Sequence, residues 1–330
     1  MRKNLIQDEL AILFANSIFK FRKIKPSNRI RKLVEGDFSK VHFAPFVDNG
    51  GGIFLRRDKK KNLVAAVLIT TVPVEYQPKL SQRKFMILSM PGDAASLEWA
   101  KSVLEDNESL LGKRCFGKIE YWQKQLIPWF ESKGIGIRAV WLQGEVNKSL
   151  KRLRAHYGKN LREPFVNAGL YIAPARTVSE IDAYIRIIKS EFTKNPQFGA
   201  WVNEPKFLKL VRIDFKNSLK KSKPPLLIYK NKEIFGGLDI LEVSRGLDGK
   251  KRAVFGINLS SKIQGMGLSP SLYETILIEL QDRGVETYYG NTGQPGVMRM
   301  GKVMGRWVSG YNLDRGVAKA FPEGHFKTWL

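Results

Sequence analysis

Cysteine is nearly absent from this 330-residue chain: Cys115 stands alone. An internal disulfide is therefore excluded, and the usage suits a reducing compartment, so a cytoplasmic location is expected. Histidine is almost as scarce. His42, His156 and His325 lie far apart, with no spacing that pairs them with cysteines or carboxylates, which argues against a dedicated zinc centre. Long apolar runs are missing as well. The run over residues 63–72 is far short of the roughly 20 residues that span a bilayer. The first ten residues include Asp8 and Glu9 and show no small-residue cleavage site, so a secretory signal is not expected. Acids are outnumbered: 31 Asp+Glu stand against 56 Lys+Arg, a net charge of +25 at pH 7 that both halves share. Such a field attracts polyanions, whether nucleic acid, an acidic membrane surface or an anionic cofactor. No nucleic-acid recognition motif accompanies it.

What the chain does hold is enough apolar material, 43% hydrophobic and 11% aromatic, for a substantial core, at a length that suits two domains. Residues 1–35 read as a basic helix, with Leu10, Leu13, Phe14, Ile18 and Phe19 at near-helical spacing; a packed arm and a membrane-surface helix would look alike here. Strand-like runs at 53–57 and 63–72 flank a charged turn and predict a hairpin. A strand at 84–90, helices at 94–104 and 117–133 and a strand at 136–142 follow. From 169 onward the predicted order is β-α-α-β-β-β-loop-α-β-α-β, a mixed α/β pattern with a central sheet. Thr177 and Glu180 have the spacing of a capping box, with Ser179 as an alternative first member.

The most telling segment is Gln264-Gly265-Met266-Gly267-Leu268-Ser269. A β-branched and aromatic strand precedes it at 252–259. A helix follows at 270–282, with Leu272, Ile276, Leu277 and Leu280 on one face. Strand, glycine loop and helix start form a phosphate-holding arrangement. The first N–H groups of a helix are unpaired, the dipole favours negative charge there, and glycine allows close approach.

A weak internal repeat runs at an offset of about 150 residues. Arg114-Cys115-Phe116-Gly117-Lys118-Ile119 falls opposite 264–269, Lys133-Gly134-Ile135 opposite Arg283-Gly284-Val285, and Leu126, Ile127 and Phe130 opposite Ile276, Leu277 and Leu280. This predicts a second, damaged loop at 114–119.

On these residues the C-terminal half resembles the GNAT N-acyltransferase superfamily, whose Q/R-x-x-G-x-G/A signature follows the fourth strand. Gln264, Gly267 and Ser269 occupy its three places, with Ser for the usual Gly or Ala. The resemblance covers about 160 residues and takes in Asn291 after the fifth strand and the helix ending at Gly305. It implies two tandem GNAT-like domains, each a central mixed sheet flanked by helices: a degenerate copy at 1–168 carrying the basic N-terminal helix, and an acyltransferase domain at 169–330. It further implies an acetyl-CoA or other acyl-CoA cofactor. The pyrophosphate would lie on Gln264, Gly265, Met266, Gly267, Leu268 and Ser269. The pantetheine arm would lie along Asn258 and Leu259, in the splay between the fourth and fifth strands near Asn291. Direct acyl transfer to an amine, small or macromolecule-linked, is the implied reaction. The family's tyrosine acid is missing, since its place is Gly301. Tyr288, Tyr289 and Tyr311 are possible substitutes, Glu242 is a possible base, and Cys115 reads as structural. Two other readings stand beside this one: an aminoacyl-tRNA-dependent transferase on the same duplicated fold, and a non-catalytic polyanion-binding module.

Overall fold

The structure, a computed structural model, describes residues 2–25, 28, 39–48, 51–74, 77–158, 160–194, 205–221, 223–246, 248–315 and 325–326. It divides into two compact units. One comprises residues 1–141, 245–249 and 308–330; the other comprises 142–244 and 250–307.

In the first unit, α1 (Arg2–Arg22) and α2 (Ser39–Asp48) precede the antiparallel strands β1 (Gly52–Arg57), β2 (Leu63–Val74) and β3 (Gln77–Ser89). The apolar stripe of α1 is a packing face: Leu10, Ala11 and Leu13 join Phe43 and Phe46 against Ala66, Leu68 and Leu88. The hairpin turn is held by Asp58, whose carboxylate accepts from the Lys60 and Asn62 amides at 2.8 and 2.9 Å. From β3 the chain crosses through α3 (Ala94–Asp106) to β4 (Cys115–Glu120), which is parallel to β3. A short 3-10 turn, α4 (Ile127–Ser132) and β5 (Ile135–Glu145) follow. The last strand of the chain, β11 (Trp307–Arg315), pairs antiparallel with β4, Tyr311 facing Ile119. The strand order of this unit is β1-β2-β3-β4-β11-β5.

The second unit begins at Leu142, within β5. After α5 (Val146–Tyr157) and the short α6 (Glu163–Asn167) come β6 (Tyr171–Pro174), α7 (Val178–Thr193), α8 (Pro205–Lys220), β7 (Leu226–Lys230), β8 (Glu233–Arg245), β9 (Lys251–Leu259), α9 (Ser269–Asp282), β10 (Thr287–Thr292) and α10 (Pro295–Val303). The order β-α-α-β-β-β-loop-α-β-α-β is borne out element by element. The sheet order is β10-β9-β8-β7-β6, with β6-β7-β8 antiparallel and β9-β10 parallel. The capping box is Thr177 with Glu180.

Two expectations are corrected here. Residues 114–119 form no loop: β4 occupies 115–120, with Cys115, Gly117 and Ile119 buried in alternation. A Cβ on Gly117 would sit 2.5 Å from the Phe85 ring, so this glycine makes room for packing and not for a ligand. The helix expected at 117–133 is accordingly reduced to the 3-10 turn Tyr121–Leu126 and α4. The two compact units part within β5, between residues 141 and 142. Val146, Leu150 and Leu153 of α5, with Leu161 and Phe165, pack into the same cluster as Leu272, Ile276 and Leu277 of α9.

Candidate functional site

The loop between β9 and α9 is anchored at both ends by apolar side chains. Ile263 and Leu268 are buried, while Gln264, Gly265, Met266 and Gly267 between them are exposed. Gly265 and Gly267 adopt φ of +81° and +72°, the left-handed region that disfavours any residue with a Cβ. Open space lies where their Cβ atoms would be. The helix that follows begins without a protein cap. Its N-cap residue is Leu268, which has no capping side chain, and Pro270 brings no N–H to the first turn. The N–H groups of Gly267, Leu268 and Ser269 have no acceptor among the described residues. Three donors thus lie at the positive end of a helix 14 residues long, with Gly267 and Ser269 exposed to solvent.

Glu191, on α7, holds the loop's shape from below. Its carboxylate accepts from the Ser261 amide at 3.2 Å, from Gln264 Nε2 at 3.0 Å and from Lys194 Nζ at 3.2 Å. Burial alone would raise this carboxyl, but those bonds outweigh it and keep the group below the usual range. Gln264 also donates to the Leu259 carbonyl at 2.7 Å, so the first signature residue fixes the loop and does not face outward freely. A hollow of about 340 Å³ borders the loop at Ile263 and Met266, with Lys230, Lys262 and Phe235 on its walls.

Below the loop, β9 and β10 part. They pair in parallel only at Thr287↔Arg252, Tyr288↔Ala253 and Tyr289↔Val254. Beyond this, residues 255–259 of β9 and 290–292 of β10 run on as strands without pairing to each other. Asn258 and Leu259 lie on the open stretch of one strand and Asn291 on that of the other, all three half-buried. The structure therefore brings these three residues and residues 264–269 to one end of β9.

A residue that sequence reasoning missed lies where the strands part. Asp239 of β8 is 4% exposed and lies against the backbone of Gly256, whose Cβ would be 3.0 Å from Oδ2. The Tyr184 hydroxyl donates to Oδ1 at 2.6 Å, and Asn258 Nδ2 donates to the Tyr184 oxygen at 2.8 Å. Burial pushes the Asp239 carboxyl up to about 6, against the lowering effect of the Tyr184 and Asn258 bonds. The only sequence signal is an acid inside the apolar run Leu238-Asp239-Ile240.

The other candidates separate. The Tyr288 hydroxyl donates to Ser149 Oγ at 2.9 Å in a buried setting, and Tyr311 is fully buried beside Tyr121. The side chain of Glu242 lies outside the described residues. Cys115 is buried, and burial pushes its thiol up to about 11. Among the described residues, no group of three or more His, Cys, Asp or Glu is placed to hold a metal ion, and no helix is long and apolar enough to cross a membrane.

No family model matches the chain, and no curated protein matches it. Solved structures do. A GCN5-related N-acetyltransferase from Sphaerobacter thermophilus aligns over 93% of this chain and 91% of its own, with a TM-score of 0.52 and 14% identity. A GNAT-family acetyltransferase from Colwellia psychrerythraea aligns over 88% and 98%, with a TM-score of 0.47 and 11% identity. The glucosamine N-acetyltransferase region of a fungal multi-domain β-N-acetylglucosaminidase aligns over 88% of this chain, which spans 37% of that one, with a TM-score of 0.45 and 11% identity. The Sphaerobacter likeness, nearly end to end in both chains, identifies the architecture: this chain has the fold of the GCN5-related N-acetyltransferases.

Proposed function

We propose that this protein is an acyl-CoA-dependent N-acyltransferase whose working site is the loop and strand splay of the second unit. The observation that carries the reading is the conjunction of an uncapped helix start with two parallel strands that separate after three residue pairs. The free N–H groups of Gly267, Leu268 and Ser269 suit a pyrophosphate. The unpaired edges at 255–259 and 290–292 offer main-chain donors and acceptors to a pantetheine amide arm, with Asn258, Leu259 and Asn291 alongside. The nucleotide end would fall toward Lys230 and Lys262. Acyl-CoA supplies the activated acyl group as a thioester. The protein supplies Asp239, against Gly256 just past the last β9–β10 pair, to take the proton that an attacking amine must lose, with Tyr184 and Asn258 orienting its carboxylate. As the C–N bond forms the C–S bond breaks, and CoA leaves as a thiolate that is protonated from solvent.

The same reading explains the first unit as a copy without a cradle. Both units run through antiparallel strands into a strand–helix–parallel strand crossover, β3-α3-β4 in one and β9-α9-β10 in the other, which supports reading them as two copies. At the start of α3, however, Asp93 is the N-cap, its carboxylate accepting from the Ser96 amide at 2.9 Å. A protein carboxylate holds the place a phosphate would need, and it repels one.

Thermal melting with acetyl-CoA tests the proposal. A ligand at 100 times its Kd stabilises by about 2.7 kcal/mol, so the melting temperature should rise by several degrees. Gly267→Glu should abolish the rise while leaving the melting of the free protein close to normal. Absence of any shift with short or long acyl-CoA would overturn the reading. If aminoacyl-tRNA bound tightly at the same time, the alternative donor would be favoured.

A further inference from the structure

The helix α8 carries two faces. Leu208, Val211, Phe215 and Leu219 pack into a cluster with Ile181, Tyr184, Ile185 and Ile188 of α7. On the outer side, Lys209, Ile213, Lys216 and Lys220 follow one another at intervals of four, three and four residues and share a stripe, with Leu210 beside it. Leu210 and Ile213 are each 43% exposed, as is Val178 at the start of α7. Val178, Ile213 and Leu219 line a groove of about 560 Å³ together with Asn217 and the cations Arg176, Lys216 and Lys220. None of these three cations, nor Lys209, makes an ion pair among the described residues. The nearby carboxylate of Asp182 is bound by Arg212 at 2.5 Å, and Lys216 acts on it only through space, helping to hold it below the usual range.

Interleaved lysines and aliphatic side chains on one face, with a groove lined by aliphatic side chains and cations, match an anionic bilayer surface. The lysines meet phosphate groups while the aliphatic side chains enter the acyl boundary. Single-stranded nucleic acid would instead call for aromatic platforms, and the exposed apolar side chains here are all aliphatic. We propose that α8 and this groove dock the protein on membranes rich in anionic phospholipid. The proposal does not depend on the acyl-transfer reading.

Flotation of the full chain with vesicles tests it. Vesicles of equimolar phosphatidylglycerol and phosphatidylcholine should carry the protein at low salt and release it at high salt, while pure phosphatidylcholine vesicles should not carry it. The double change Lys216→Glu and Lys220→Glu should weaken the binding roughly tenfold or more, and Ile213→Asp alone should weaken it measurably. Both variants should keep the parental melting temperature. Equal binding to the two kinds of vesicle, or binding to anionic vesicles that neither variant weakens, would overturn the proposal. So would a result in which the variants lose affinity for a single-stranded RNA oligonucleotide but keep their affinity for the vesicles. An acetyl-CoA melting shift in the variants is read separately, so failure here and failure of the acyl-CoA site remain distinct.

Discussion

Asp239 is an unfavourable residue to bury, and the cost is visible in its chemistry. A carboxyl held at about 6 in place of 3.8 is ionised in the folded protein only above pH 6, whereas in the unfolded chain it is ionised two units lower. Folding is therefore penalised as pH rises through this window. Asp239→Asn should raise stability at pH 8 by roughly 2–3 kcal/mol, read as a higher melting temperature than the parent, with the gain vanishing near pH 4. If Asp239 is the proton acceptor, the same substitution should lower acyl transfer by about 10²–10⁴-fold and remove the acidic limb of the rate profile, while the acetyl-CoA melting shift persists. Gain of stability with unchanged transfer would leave Asp239 a buried polar residue and nothing more. Tyr184→Phe provides the sign check. Its hydroxyl lowers the carboxyl, so losing it should move the acidic limb to higher pH. Cys115 differs in kind: with its thiol pushed up to about 11 and its side chain buried, it should resist alkylation at pH 8 in the native protein and react at once in denaturant.

At the scale of elements, the loop between β9 and α9 is the part that can be altered without disturbing the core. Gly267→Ala introduces a Cβ at φ +72°, a strain of roughly 1–2 kcal/mol. It should lower the melting temperature slightly and weaken acetyl-CoA binding more, because the strain is relieved by moving the very amides proposed to hold the pyrophosphate. This element was legible in the sequence because three signals agree: a β-branched strand, glycines, and a helix with Leu272, Ile276, Leu277 and Leu280 at helical spacing. The second loop expected at 114–119 rested on the 150-residue repeat, and that register misleads: Gly117 falls in a strand and is a glycine because the Phe85 ring presses against it. The crossover helix of the first unit, α3, starts at Asp93 as its cap and offers no glycine pattern to find. Asp239 was illegible for another reason. Its surroundings are set by Tyr184, 55 residues away, and by the backbone of Gly256 in β9, and neither leaves a local trace.

At the scale of the whole molecule, sequence order and compactness disagree, and the disagreement has a measurable consequence. Cutting the chain at 168/169 would leave the first fragment without β11, so β4 would lose the antiparallel neighbour it holds through five residue pairs from Gly310↔Glu120 to Asp314↔Phe116. Its central edge would be exposed to solvent and to other chains. The second fragment would lose Val146, Leu150, Leu153, Leu161 and Phe165 from the cluster that covers α9. Each such side chain contributes about 1.5–3 kcal/mol on burial. The five together match the whole stability of a typical domain, about 5–15 kcal/mol. Neither fragment should show a cooperative thermal transition by circular dichroism, and the first should aggregate, while the intact chain melts cooperatively. The proposed acyl-CoA site lies wholly within residues 142–307, so a fragment of 169–330 should also fail to bind acetyl-CoA although it contains every residue proposed to touch it. Cooperative melting of that fragment, with acetyl-CoA binding retained, would show that α5 is a peripheral addition and that the site is supported by α9 and the sheet alone.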